Sequence, residues 1–491
     1  MILRALVSAG LAAAPTLLAP TVLTASLTCQ EPPALLATSQ YLFIVRGDWV
    51  YQYDVNTLLL KGRAAIPASG ATGRRSPRRA TNGIGTIGID KRSDRGTPAV
   101  DKPRRVKPKP AQPVIVEVTE ERPLMGGAGG RYGSRGGGRG GKGGGKPTAT
   151  AIGAGLNWLA KHQDKNGRWD ADGFMKHDTS GTACDGGGSA AHDVGVTGLA
   201  MLAMLGDGST LRGGPYKEQL KLAARWLQDQ QGPNGRFGSN ASHDFIYDHA
   251  IAAYAMCEAY GLSNYKLLKQ SAQKGINYLE SHRNPYSMWR YQPRDNDNDL
   301  SVTSWCLLAY KSAEFFKLQV NQNAIKLGET YLDQVSTPDG RHGYTKQGEG
   351  SSRMPGDHAT RFPTDKCETL TAAGLFCRYF IGQDPDSKPV MKAAADLLIQ
   401  KPPRWDTNAG TIDHYYWYYG TYAMFQAGGM HWKNWSKHLK SALLPTQYTE
   451  GNAAGSWDPA GVWGTQGGRV YSTAMSTLSL EAYYRYSRLV R

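Results

Sequence analysis

The stretch "DNDNDLSVTSW", residues 295–305, sets three carboxylates at alternate positions ahead of an apolar run. Acids in this pattern can do one of two things. A carboxyl kept protonated by burial and neighbouring carboxylates can protonate a substrate in an apolar site. A carboxylate just before a helix instead accepts the free N–H groups of the first turn and complements the helix dipole. Asp193, Asp248, Asp365 and Asp413 each precede another apolar, helix-like segment by a few residues, and His192, His249 and His414 lie beside three of them. An acid repeated at each helix entry favours capping for Asp299. Asp297 or Asp299 as proton donor is the alternative. If the helices run the same way, these acids and histidines ring one mouth of whatever the helices enclose, and His192, Asp193 and His249 are the candidate ligand contacts there.

The elements that must position these residues repeat. One type is an amphipathic helix running into a Gly/aromatic turn, as in "GLNWLAKHQDKNGRW" (155–169), "AARWLQDQQGPNGRF" (223–237), "GINYLESHRNPYSMW" (275–289) and "GETYLDQVSTPDGRHGY" (328–344), with weaker copies at 394–405 and 435–457. The other type is apolar nearly all round and rich in small residues, as in "VGVTGLAMLAML" (194–205) and "TLTAAGLFCRYF" (369–380). The two alternate six times. Aligned on Thr197, Ile251, Thr303, Thr371, Gly420 and Thr473, the second type recurs at intervals of 54, 52, 68, 49 and 53 residues. A helix apolar on every side is buried, and one with a charged face lies outside. A single pair cannot bury its own apolar face. The pattern therefore predicts an all-α, (α/α)6 toroid over 148–491. The turn glycines Gly167, Gly235 and Gly340 supply the left-handed backbone after the outer helix, and the aromatic that follows, such as Trp169 or Phe237, packs back as a staple.

The remainder of the chain differs in kind. Residues 1–28 are Ala, Leu and Val rich with one early arginine and read as a signal peptide or N-terminal anchor, which makes an exported protein the expectation. "SLTC", ending at Cys29, has the look of a lipoprotein cleavage site. Residues 36–66 contain β-branched and aromatic runs at 41–45 and 49–55 broken by Arg46-Gly47-Asp48, which predict a short β-hairpin segment. Residues 67–147 are a basic Gly/Pro/Arg-rich disordered linker. Residues 61–147 hold a net +14 of the chain's +16, leaving the toroid region nearly neutral. The basic balance is thus no argument for specific nucleic-acid binding. It points to a tether that touches an anionic membrane or wall surface. The six cysteines form no CxxC pair and read as small buried hydrophobes, not a disulfide framework.

A helix bearing Trp or Tyr followed by Gln or Asp and Gly-x-aromatic resembles the repeat of squalene cyclases and protein prenyltransferase β-subunits. The closing "GSWDPAGVWGTQGGRVYSTAMSTLSLEAYYRY" (455–486) is especially similar to the squalene-cyclase C-terminal type. The resemblance spans about 148–491. It implies the same toroid, with a central apolar cavity whose mouth lies near the N-termini of the inner helices and which receives isoprenoid chains. It also implies two chemistries. Squalene-type cyclases protonate an alkene with the middle acid of Asp-x-Asp-Asp. Here the fourth position is Asn298 or Leu300, and the acid position in the aligned helix falls on Ser301. Protein prenyltransferases hold zinc with Asp-x-Cys at one inner helix and His at the next. Asp365, Cys367 and His414 occupy that register and would leave an open position for a thiolate. Cyclases line their cavities with aromatics, and Tyr415–Tyr419, including Tyr416 and Trp417, is the matching run.

The expected function is an exported toroid that binds an isoprenoid-like or other apolar ligand, or a protein or peptide, in or at the mouth of its cavity. Neither catalytic motif is complete, and no cofactor is required. A squalene-type cyclase using Asp297 or Asp299 is the first alternative. A zinc-dependent prenyltransferase-like enzyme is the second.

Overall fold

The computed structural model describes the backbone of four strands between residues 35 and 65, and residues 145–179 and 181–488 in full. The 1–28 leader, Cys29 and the linker up to residue 144 lie outside the described residues. The chain divides into two compact units, within 1–113 and 114–491.

In the first unit β1 (Leu35–Ala37), β2 (Tyr41–Arg46), β3 (Trp49–Asp54) and β4 (Leu60–Ala65) form an antiparallel meander in that order. Strands β2 and β3 run Tyr41 opposite Asp54 to Arg46 opposite Trp49. The pair read from the sequence is thus the centre of a four-stranded sheet. β4, "LKGRAA", has weak strand chemistry of its own. Its place comes from pairing with β3.

Among its described residues the second unit holds twelve longer helices. The outer ones are α1 (Gly145–Lys161), α3 (Lys217–Asp229), α5 (Lys269–His282), α7 (Gln322–Gln334), α9 (Pro389–Gln400) and α11 (Gly429–Leu443). The inner ones are α2 (Asp193–Gly206), α4 (Phe245–Ser263), α6 (Leu300–Phe315), α8 (Thr369–Ile381), α10 (His414–Ala427) and α12 (Gly464–Leu480), the last broken at Gly468. Every residue of α2 is buried. Outer α3 buries Leu220, Ala223, Ala224 and Leu227, the spacing of one helical face. Each inner helix packs on the next, from α2 through α4, α6, α8 and α10 to α12, and α12 packs back on α2. The ring is closed, an α/α toroid as the repeat pattern and the family resemblance imply. No helix among the described residues is long and apolar enough to cross a membrane.

The turn motifs explain how neighbouring repeats are joined. Indole Nε1 of Trp169, Trp289 and Trp457 donates to Leu159 O, Leu279 O and Leu443 O, each at 2.8 Å, and so satisfies a carbonyl at the end of the outer helix. The backbone N–H beneath the aromatic donates to an inner-helix threonine: Trp169 to Thr197 Oγ1 (3.0 Å), Trp289 to Thr303 Oγ1 (3.4 Å) and Trp457 to Thr473 Oγ1 (3.3 Å). Gln163 Nε2 bridges its own turn carbonyl, Gly167 O, to Gln219 O of the next outer helix. Gln231 does the same with Gly235 O and Ser271 O, and Gln447 with Gly455 O and Ala151 O. The Gln447 bridge closes the last repeat onto the first. Gly235 sits at φ +91°, and a Cβ there would lie 2.3 Å from Lys274 O, so the turn needs glycine twice over.

The middle of the ring is filled, not hollow. Tyr418, Tyr419 and Tyr422 of α10 pack with Trp305, Phe376 and Tyr486, and Phe380 meets Tyr486 edge-on. At the C-terminal ends of the inner helices the chain folds back as a plug. There Arg485, fully buried, bonds Glu258 Oε2 (3.0 Å) and Leu202 O, and Tyr486 OH donates to Glu258 Oε1 at 2.8 Å.

Candidate functional site

A cleft of about 160 Å³ opens at the N-terminal ends of the inner helices. Its floor is apolar: Val196 and Leu199 of α2, Ile251 of α4 and Trp305 of α6. Tyr247, Tyr291, Tyr415, Trp463 and Tyr471 supply aromatic walls, and His192, Asp244, Asp248 and Gln466 supply a polar one. Inner helices that run the same way bring their first turns together here, which is why the lining comes from residues far apart in sequence.

The polar wall is organised by His192. Its Nδ1 lies 3.1 and 3.3 Å from the two oxygens of Asp248, and its Nε2 lies 3.2 Å from Gln466 Oε1 and 3.8 Å from Asp244 Oδ2. Both ring nitrogens therefore face acceptors, the arrangement of an imidazolium. Burial opposes that charge, but the Asp248 carboxylate outweighs it and His192 is pushed up to about 9. Burial also pushes Asp248 upward against the pull of His192. With the ring facing both its oxygens, we take the pair as charged. On the opposite wall Ser301 Oγ is 2.9 Å from Tyr415 OH, and the buried Tyr471 hydroxyl has no hydrogen-bond partner among the described residues.

The His192–Asp248 pair makes stability depend on pH. The folded-state value of His192 lies above its ordinary 6.5. Its contribution is therefore complete below that value and is lost as pH rises through about 9. A drop of about 1–3 kcal/mol between pH 6 and 10 is expected in urea unfolding of the wild type. It should be absent from Asp248→Asn. An equal drop in both proteins would remove the pair as its cause.

The acids of the 295–305 stretch and of the other helix entries lie elsewhere, Asp248 apart. Asp299 is fully buried, and its Oδ1 accepts from Val302 N at 2.7 Å as the N-cap of α6. Burial pushes it up to about 7 despite that bond and Arg290, whose Nε is 3.7 Å from Oδ2. Asp297 is 57% exposed and ion-paired with Arg290. Neither lines the cleft. Asp413 caps α10 through Tyr416 N at 3.0 Å. Asp193 accepts from Ala171 N and Arg168 Nη1, both at 2.9 Å, and Asp365 is exposed in a short turn. Capping thus holds for Asp299 and Asp413 but not for all five entries.

Of the other candidates, His192 and Tyr415 meet in the cleft. His249 faces the other way: Nδ1 accepts from Phe237 N (3.0 Å) and Nε2 donates to Gly275 O (3.1 Å). It takes the place that threonine holds in four other repeats, and burial holds it down to about 3. Tyr416 OH donates to Lys401 O at 2.8 Å. With Cys367 and Trp405 it lines a separate groove of about 660 Å³ at the outer side of the ring. Trp417 packs on His414 at 5.3 Å. Asp365, Cys367 and His414 do not form a cluster: Cys367 Sγ is 3.8 Å from Thr411 O, and His414 Nδ1 is 3.3 Å from Ser476 Oγ. Among the described residues, groups of three metal-ligating atoms within 4.8 Å of one another occur at His162, Asp178 and Cys184 and at Asp170, Asp172 and Asp193. The five described cysteines are free and buried. Sequence reasoning missed Asp244, Tyr247, Tyr291, Trp305, Gln466 and Tyr471. Their one shared signal is a position within about two turns of an inner-helix start, or in the loop before it.

No protein-family model matches the sequence, and no curated protein matches it. Similar solved structures include the type II terpene cyclase MstE from Scytonema in its apo form, at 13% identity and TM-score 0.45, covering 69% of this chain and 97% of that one. A cellobiose 2-epimerase from Bacillus thermoamylovorans is similar at 13% identity and TM-score 0.47, covering 67% and 96%. An inactive alpha-1,6-mannanase variant of Salegentibacter in complex with mannotriose is similar at 9% identity and TM-score 0.46, covering 68% and 98%. These likenesses assign no residue role to this chain, and the toroid rests on its own closed ring of helix contacts.

Proposed function

We propose that this chain is a binding toroid that takes one end of an isoprenoid-like or other apolar ligand into the cleft at the mouth of its ring. The observation that supports this is the cleft itself, with an apolar floor and with His192, Asp244 and Asp248 on one side. Its 160 Å³ is close to the roughly 150 Å³ of a cavity that holds a single benzene. It is below the ~300 Å³ where pockets for drug-sized ligands begin. A terminal isoprene unit or one ring fits. A folded triterpene does not, and this weighs against polyene cyclisation, as does the absence of Asp297 and Asp299 from the lining. The unpartnered Tyr471 hydroxyl and the His192–Asp248 wall would meet a polar group on the ligand.

The test is quenching of tryptophan fluorescence by geraniol, farnesol and a straight-chain alcohol. Saturable binding is expected, weakened at least tenfold in Ile251→Trp, which fills the floor. No saturable binding by the wild type, or equal binding by the variant, would overturn the proposal. Formation of a cyclic product from squalene would replace it with the cyclase reading. Export by way of residues 1–28 belongs to the same proposal, and N-terminal sequencing of the mature protein tests it.

A further inference from the structure

The end of α1 and the loop that follows bring a histidine, a carboxylate and a thiol to one point. A ring nitrogen of His162, an oxygen of Asp178 and Cys184 Sγ all lie within 4.8 Å of one another, His162 Nε2 is 3.1 Å from Asp178 Oδ1, and all three side chains are nearly buried. The hydrogen bonds around them contain a mismatch. His162 Nδ1 is 2.8 Å from Trp158 O, a carbonyl that can only accept, so Nδ1 carries a proton. In the neutral ring Nε2 is then a lone pair, yet it faces Asp178 Oδ1 at 3.1 Å, another acceptor. Two acceptors in contact require a proton or a metal ion between them. Asp178 Oδ2 also accepts from Cys184 N at 2.6 Å, which brings the thiol against the carboxylate.

From this geometry we infer that His162, Asp178 and Cys184 form a site for a divalent transition ion of the zinc class. The donors are an imidazole nitrogen, a carboxylate oxygen and a thiolate, a set that suits zinc. With the ion doubly positive and the carboxylate and thiolate each negative, the site is neutral when occupied. Around zinc, ligand atoms stand roughly 3.5 Å apart at its usual bond lengths, so a small inward shift of side chains completes the set. The surroundings are those of a ligating histidine. Its second nitrogen is held by a backbone carbonyl, the Trp158 ring stacks on it at 4.1 Å, and Phe174 meets it edge-on at 5.9 Å. The fourth position is left to water.

The site sits on the seam of the ring. Trp158 Nε1 donates to Asn452 O, and the Asn452 side chain is bonded to Thr179 N and Oγ1, Thr179 O and Thr182 O, so the loop between the ligands is tied to the last repeat. An ion here would pin the first repeat's loop where the last repeat meets it. The site is separate from the cleft and does not depend on the function proposed for it. Binding balances as one ion taken up and two protons released, one from the His162–Asp178 contact and one from the Cys184 thiol.

The full chain, stripped with a chelator and titrated with cobalt(II), tests this. One equivalent is expected, with thiolate-to-cobalt charge-transfer absorption, release of about two protons per ion, and a melting temperature that rises with zinc concentration. The absorption should vanish in Cys184→Ser and His162→Gln and persist in Cys367→Ser. A wild type without the charge-transfer band overturns the proposal whether or not the variants fold. Survival of the band in Cys184→Ser, or its loss only in Cys367→Ser, also overturns it.

Discussion

Arg485→Met is expected to lower the unfolding free energy by about 3–5 kcal/mol, the usual cost of leaving one partner of a buried ion pair alone. Arg485 is fully buried at the closed end of the ring. Its guanidinium bonds Glu258 Oε2 at 3.0 Å and Leu202 O, and it lies 3.6 Å from Glu481. Methionine keeps much of the stem's packing and removes the charge. Glu258 would then lose the guanidinium that faces it at 3.0 Å, and a carboxylate buried without that counter-charge is poorly solvated. The plug, and not merely one contact, should loosen, because Arg485 and Tyr486 reach Leu202 of α2, Glu258 of α4, Phe380 of α8 and Tyr422 of α10. Urea unfolding should show a lower midpoint at unchanged slope. The double variant Arg485→Met/Glu258→Gln should recover at least about 1 kcal/mol by removing the stranded charge. A single variant within 1 kcal/mol of wild type would mean that the pair contributes nothing net.

The second large effect is expected from the staple. Trp289→Ala should cost about 3–5 kcal/mol, through lost transfer energy and the cavity left behind. The indole is fully buried, donates to Leu279 O at 2.8 Å and meets Tyr310 edge-on at 5.2 Å. Removing it exposes the carbonyl end of α5 as well as leaving a void. Trp289→Phe keeps most of the apolar contact and loses the hydrogen bond, so about 1–2 kcal/mol is expected. Tyr286→Ala, three residues away and 87% exposed, should change stability by less than about 0.5 kcal/mol. If Trp289→Ala costs no more than Tyr286→Ala, these turn aromatics are not what locks outer helix to inner helix.

Much of the toroid was legible because its causes are local. Helix α2 is apolar on all sides and can only be buried, whereas α3 is apolar on one face and can only be peripheral. Gly235 followed by Arg236-Phe237 states its turn chemistry in three residues. The recurring threonines Thr197, Thr303, Thr371 and Thr473 were visible as alignment anchors, though not as acceptors for the turn backbone. Asp299 was legible as a cap because capping reaches only three residues ahead.

The site was legible only in outline. Asp248 and His249 are adjacent in sequence, but successive residues on a helix point about 100° apart. Asp248 lines the cleft with His192, and His249 turns back to Phe237 N and Gly275 O. Tyr415 reaches the cleft, while Tyr416 opens onto the outer groove. The size of the cleft was beyond reach as well, because it is what remains after the α10 tyrosines meet Trp305 and Phe376 across the ring. The residues by themselves determined that helices alternate between burial and exposure and that the turns clamp one repeat to the next, since both follow from periodicity and short-range hydrogen bonding. Only the closed ring decided which side chains face inward, how much space they leave, and that His162 meets Asp178 and Cys184, because those outcomes depend on helix rotation and on how loops fold over neighbouring repeats.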